Sequence, residues 1–122
     1  MDNTILLVDD EAGIRKVLGI SLQDSGYDVH TAENAKEALR LFEAVAPPIV
    51  LTDIKMPDMD GIELLRRIKK KNPDTEVIMF TGHGDMGLAI KSLKNDATDL
   101  VTKPINDEVL EIALKRARER IS

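Results

Sequence analysis

Four short apolar runs limit the fold of this chain more tightly than anything else in it. Ile5-Leu6-Leu7-Val8, Ile49-Val50-Leu51, Val77-Ile78-Met79-Phe80 and Leu100-Val101 lie within segments 4–8, 49–52, 76–80 and 99–102. They are apolar on both sides of a pleat, so they make stable strands only in a sheet covered on both faces. A fifth segment, residues 27–31, alternates and fits an edge strand. Each run is followed by a helical pattern. Residues 12–25 carry Ile14, Val17, Leu18 and Leu22 at helical spacing, with Gly26 as a C-terminal stop. Asn34 with Glu37 and Asp60 with Glu63 have capping-box spacing. They open helices that turn Ala38, Leu39 and Phe42, then Ile62, Leu65 and Ile68, inward; Pro47-Pro48 and Asn72-Pro73-Asp74 end them. Residues 85–95 make a weaker helix. Residues 106–121 make the last one, with Val109, Leu110, Ala113, Leu114 and Ala117 apolar.

Five βα units in a row, joined by right-handed crossovers, predict an α/β fold with a five-stranded, doubly wound parallel sheet. Order 2-1-3-4-5, the flavodoxin-like (βα)5 arrangement, places a ligand site at the carboxyl ends of strands 1 and 3. The length of 122 residues suits a single domain over residues 1–122. The net charge of −5 argues against direct nucleic-acid binding, and an aromatic content of 2% argues against base stacking. The basic clusters at residues 66–71 and 115–120 read as solvated helix faces. With no cysteine there is neither a disulfide nor a thiolate metal site, which fits a cytoplasmic location. The acidic start Met1-Asp2-Asn3-Thr4 does not resemble a signal peptide, and no run approaches the ~20 apolar residues of a membrane insertion.

The chemistry sits at the strand ends. The first strand is followed by Asp9-Asp10, the third by Asp53, the fourth by Thr81-Gly82 and the fifth by Lys103-Pro104. In the expected topology these meet at one place. Three neighbouring carboxylates stay ionised only if a cation offsets them. Oxygen ligands without His or Cys favour Mg²⁺ or Mn²⁺. Such a site suits a phosphoryl group, with Lys103 and Thr81 holding its oxygens and Asp53, on the central strand, as nucleophile. Any one of these residues alone would read as a solvated strand end. The five together do not.

Asp9-Asp10, Asp53 with Met56-Pro57-Asp58-Met59-Asp60-Gly61, Thr81-Gly82 and Lys103-Pro104 resemble the signature of response-regulator receiver domains, chemotaxis regulators included, across essentially the whole chain. The resemblance implies a non-enzyme phosphorelay module of a two-component system. In it Asp53 is the phosphoacceptor. Asp10, Asp53 and the Lys55 backbone carbonyl ligate Mg²⁺, and Asp9 helps through water. Lys103 contacts the phosphoryl group across a cis peptide to Pro104, and Thr81 is the switch hydroxyl. The implied partners are a sensor histidine kinase or phosphotransfer protein, and an unknown output partner or homodimer contact on the face of the fourth helix, fifth strand and fifth helix. Two positions depart from the pattern. Leu100 stands where a switch aromatic is frequent, and Asp96-Ala97 stands where Gly-Ala is frequent.

Several signals are softer. Gly82, Gly84 and Gly87 suggest a segment kept near a conformational balance, or a plain loop. Lys55 and His83, two residues past Asp53 and Thr81, are expected to tune phosphate lifetime. His30 has no carboxylate partner in its motif and reads as structural. Met56 and Met59 read as packing around the Pro57 turn. Three other functions compete. A haloacid-dehalogenase-type phosphohydrolase would need a second Asp where Lys55 stands, and a capping insertion. A flavin carrier would need a Ser/Thr/Gly-rich loop in place of Asp9-Asp10-Glu11. A binding module with a vestigial site would not need the intact set of five. The sequence leaves open whether the chain acts alone or belongs to a larger regulator or hybrid kinase.

Overall fold

The computed structural model describes residues 2–121; Met1 and Ser122, the bounds of the expected single domain, lie outside the described residues. Its elements run β1 (Thr4–Val8), α1 (Ala12–Asp24), β2 (Asp28–Ala32), α2 (Ala35–Val45), β3 (Ile49–Asp53), α3 (Gly61–Lys71), β4 (Glu76–Thr81), α4 (Met86–Lys94), β5 (Asp99–Thr102) and α5 (Asp107–Ile121). The sheet is parallel in the order β2-β1-β3-β4-β5. That is the expected doubly wound arrangement, with β2 at an edge.

The three central strands β1, β3 and β4 bury both faces, and their residues divide by parity. Leu6, Val8, Val50, Val77 and Met79 pack against α2 and α3, with Phe42, Ile62, Leu65 and Ile68 among the contacts. Ile5, Leu7, Leu51, Ile78 and Phe80 pack against α1 and α5, with Leu18, Leu22, Leu110 and Leu114. The two-residue period of a strand sorts one apolar run into two cores.

Local signals set the helix ends. Asn34 and Asp60 accept hydrogen bonds from the Glu37 and Glu63 backbone N–H groups at 2.8 and 2.9 Å. Asn106 caps α5 from just outside it: its Oδ1 accepts from Glu108 N at 2.9 Å and from Val109 N at 3.2 Å. Gly26 follows α1 with φ 98°, and Asp96 takes φ 67° after α4, the left-handed conformation that Asp tolerates. Met56 is buried and Met59 packs beside it, as expected for the Pro57 turn.

Two readings need correction, and two apolar positions of the helical patterns prove exposed. Val17 of α1 and Val109 of α5 are 67% and 47% exposed. Helical spacing finds an apolar stripe but not its width, and neighbouring elements cover only part of these two. β2 begins at Asp28 rather than at residue 27, because it pairs in register from Thr4↔Asp28 to Val8↔Ala32. His30 does have a carboxylate neighbour: its Nε2 lies 3.5 Å from Asp28 Oδ2, two residues back along the strand.

Candidate functional site

β3 and β4 each run one residue further than the expected segments 49–52 and 76–80, so Asp53 and Thr81 are the last residues of their strands. Asp9 follows β1 directly, and its backbone N–H donates to Ala32 O at 3.2 Å. Lys103 follows β5, and its N–H donates to Thr81 O at 2.7 Å. The chain therefore leaves four strands at one edge with its backbone still tied to the sheet. Crossovers alone bring Asp9, Asp53 and Lys103 together.

Lys103 Nζ donates to Asp53 Oδ2 at 2.7 Å and lies 3.4 Å from Asp9 Oδ2. Asp9 is fully buried and Asp53 nearly so, whereas Asp10 is exposed. Carboxylate oxygens of all three aspartates lie within 4.8 Å of one another. Asp9 is held by its neighbours: Oδ1 accepts from Glu11 N at 2.9 Å, and its carbonyl accepts from Arg15 at 2.6 Å. Asp10 makes no hydrogen bond or ion pair among the described residues, which leaves its carboxylate available. One ammonium against three carboxylates leaves the cluster two charges negative.

The electrostatics follow. Burial pushes the Asp53 carboxyl above its ordinary value; the Lys103 hydrogen bond and charge pull it back, and the charges of Asp9 and Asp10 push it up again. Burial acts to lower the Lys103 ammonium, but the hydrogen bond and charge of Asp53, with Asp9, outweigh it and the net shift is upward. The site thus lacks positive charge. An oxygen-only donor set of this kind fits a hard divalent cation.

The backbone of Asp53 is backed by α3. Gly61 N–H donates to Ile54 O at 2.7 Å. A Cβ on Gly61 would lie 2.1 Å from the Asp53 carbonyl oxygen. Only glycine allows this approach.

A cavity of about 250 Å³ opens beside Asp53, lined among others by Asp10, Lys55, Gly82, Asp85 and Lys103. Lys55 faces it, with its side chain 68% exposed. His83 lies elsewhere, in an apolar groove with Ile14, Val17, Leu18, Pro104 and Ile105. Thr81 is buried between Phe80 and Gly82, both of which line the small cavity. Leu100 is half-buried against the α2–α3 core, in register with Met79. The Lys103-Pro104 peptide is cis. Sequence reasoning missed Asp85 as a site residue. Its carboxylate pairs with Lys55 Nζ at 2.9 Å. The sequence signal, an Asp just before a helical pattern, suggests only a cap.

A family model described as the response regulator receiver domain matches residues 5–115. The chemotaxis protein CheY of Listeria monocytogenes is 39% identical over 116 residues, covering 93% of this chain and 98% of CheY. The regulatory protein AtoC of Escherichia coli is 37% identical over 115 residues, 94% of this chain, which spans only a quarter of AtoC's length. A solved receiver domain protein from Clostridium thermocellum has a TM-score of 0.93 and 39% identity, covering 96% of this chain and 94% of that one. With a family model matching residues 5–115 and a solved receiver domain that superposes on nearly its whole length, the chain belongs to the response regulator receiver domains of two-component signalling.

Proposed function

We propose that residues 1–122 act as one phosphoacceptor unit and that Asp53 is the acceptor. The observation that carries this is the 2.7 Å bond from Lys103 Nζ to Asp53 Oδ2 within a cluster of three carboxylates. An Asp53 oxygen attacks phosphorus, and the bond from phosphorus to the donor's leaving atom breaks. With a phosphohistidine donor that bond is P–N, and the imidazole leaves and takes up a proton. Lys103 exchanges its carboxylate contact for a phosphoryl oxygen, so one fixed ammonium serves both states. Asp10, Asp53 and the Lys55 carbonyl would hold Mg²⁺ or Mn²⁺ directly, with Asp9 acting through water. Such an ion offsets carboxylate charge and binds phosphoryl oxygens.

Thr81 is the switch hydroxyl, and Leu100, half-buried on β5 in register with Met79, is the second switch position. Lys55 borders the acceptor cavity and tunes phosphate lifetime. His83 tunes it from the adjoining groove. The donor is a sensor histidine kinase or phosphotransfer protein, which places the module in the cytoplasm. The chain turns over no external substrate. An output partner or second copy uses the α4–β5–α5 face, where Ile90, Leu93 and Ile112 are exposed.

The test is intact mass after incubation with acetyl phosphate and Mg²⁺, beside Asp53→Asn. One phosphoryl adduct that needs Mg²⁺ and is absent from the variant is expected. An adduct that persists in the variant would reject Asp53 as the acceptor.

A further inference from the structure

Two cationic or polar donors face the acceptor cavity besides Lys103: the Lys55 ammonium and the Gly82 backbone N–H. Lys55 is already engaged: its Nζ lies 2.9 Å from Asp85 Oδ1, and the Asp85 carboxylate sits against Gly82. The pair is asymmetric. Lys55 is 68% exposed, but the Asp85 side chain is only 12% exposed. Asp85 is tucked in against Gly82, where even a glycine-to-alanine Cβ would lie 3.1 Å from Oδ2. Together these contacts hold the carboxyl below its ordinary value.

Asp85 also occupies the N-cap position of α4, yet makes no capping hydrogen bond. Asp is among the best residues at that position, because its side chain can take an otherwise unsatisfied N–H of the first turn. Here the side chain is turned toward the cavity instead. The helix it leaves uncapped is nine residues long, with Gly87 in its first turn and no acidic residue there.

We propose that Asp85 is an internal stand-in for the phosphoryl group: its carboxylate holds the Lys55 ammonium beside Gly82 while Asp53 is unmodified, and a phosphoryl group on Asp53 takes that ammonium and releases Asp85 to cap α4. Asp85 is thus a positioning residue that opposes phosphorylation and couples it to α4. This rests on the acceptor role of Asp53 proposed above. The exchange puts one oxyanion in place of another on the same ammonium.

The test compares initial rates of adduct formation with acetyl phosphate and Mg²⁺ in wild type, Asp85→Asn, Lys55→Ala and the double variant. Asp85→Asn removes the competing charge, and the expected rate rises about three- to fivefold, the scale of one partly exposed ion pair. The rise shrinks when Lys55 is already Ala. An unchanged or slower rate in Asp85→Asn overturns the proposal. A second measurement needs no variant: beryllofluoride and Mg²⁺ are titrated into wild type while the Asp85 carboxyl carbon and Gly82 amide are followed by NMR. Both resonances are expected to move together. An adduct on Asp53 with the Asp85 carbon unmoved overturns this proposal alone, whereas a wild type that forms no adduct removes the acceptor reading and this one with it.

Discussion

Gly61→Ala puts a methyl group against the backbone of the strand that carries Asp53. Its Cβ would lie 2.1 Å from the Asp53 carbonyl oxygen, 2.9 Å from Ile54 Cα and 3.0 Å from the Asp53 carbonyl carbon. Non-bonded heavy atoms settle about 3.5 Å apart, so the start of α3 must back away by ~1 Å. The Gly61 N–H bond to Ile54 O, now 2.7 Å, then stretches beyond useful length, at about 1 kcal/mol. Ile62, Leu65 and Ile68, each no more than 1% exposed, are drawn off their partners in the sheet, and such misfit costs roughly 1–3 kcal/mol. The helix propensity of Ala returns less than ~1 kcal/mol at a first-turn position. The net loss is about 2–3 kcal/mol, which for a chain of this size lowers Tm by roughly 10 °C. Thermal unfolding followed by far-UV circular dichroism reads it. A Tm within ~2 °C of wild type would mean that α3 can withdraw freely, and would refute the view that its N-terminus rests rigidly on the acceptor strand.

Other perturbations test other links. Gly87→Ala meets nothing within 4 Å; it should stabilise α4 by up to ~1 kcal/mol and slow amide exchange across residues 82–95, and unchanged rates would count against α4 being a weak helix. Asp60→Ala removes the cap on Glu63 N and should cost about 1 kcal/mol in urea unfolding, against no change if the cap is idle. Because burial holds the Asp53 carboxyl above its ordinary value despite Lys103, the folded protein binds that proton more tightly than the unfolded chain. Its stabilising contribution is therefore present at acid pH and is lost as pH rises from the ordinary carboxylate range through the raised value. Asp53→Asn should melt above wild type at pH 7 in EDTA, with the gap closing in acid; a lower melting temperature at pH 7 would contradict the sign. Mg²⁺ should raise the wild-type Tm and raise that of the variant less; equal shifts would place the cation elsewhere.

The sequence by itself determined the architecture. Ile5-Leu6-Leu7-Val8 and its three counterparts are apolar on both pleat faces, which only a sheet covered on both sides can use, and βα alternation with right-handed crossovers then leaves few topologies. Asn34, Asp60 and Gly26 marked helix ends because capping and left-handed turns are decided within three or four residues. The strand-end acids were legible for a related reason: in a parallel sheet every strand ends on the same side, so position in the chain already implies convergence. The tertiary structure alone decided what depends on distance between elements. Val17 and Val109 keep helical spacing yet stay exposed, because the width of a buried stripe is set by its neighbours. His83 falls in the groove beside α1, while Lys55, at the same offset from its strand, borders the acceptor cavity. Asp85 looks like a helix cap in sequence and instead pairs with Lys55, 30 residues away, because loop geometry brought a stronger donor within reach than the N–H groups of its own helix.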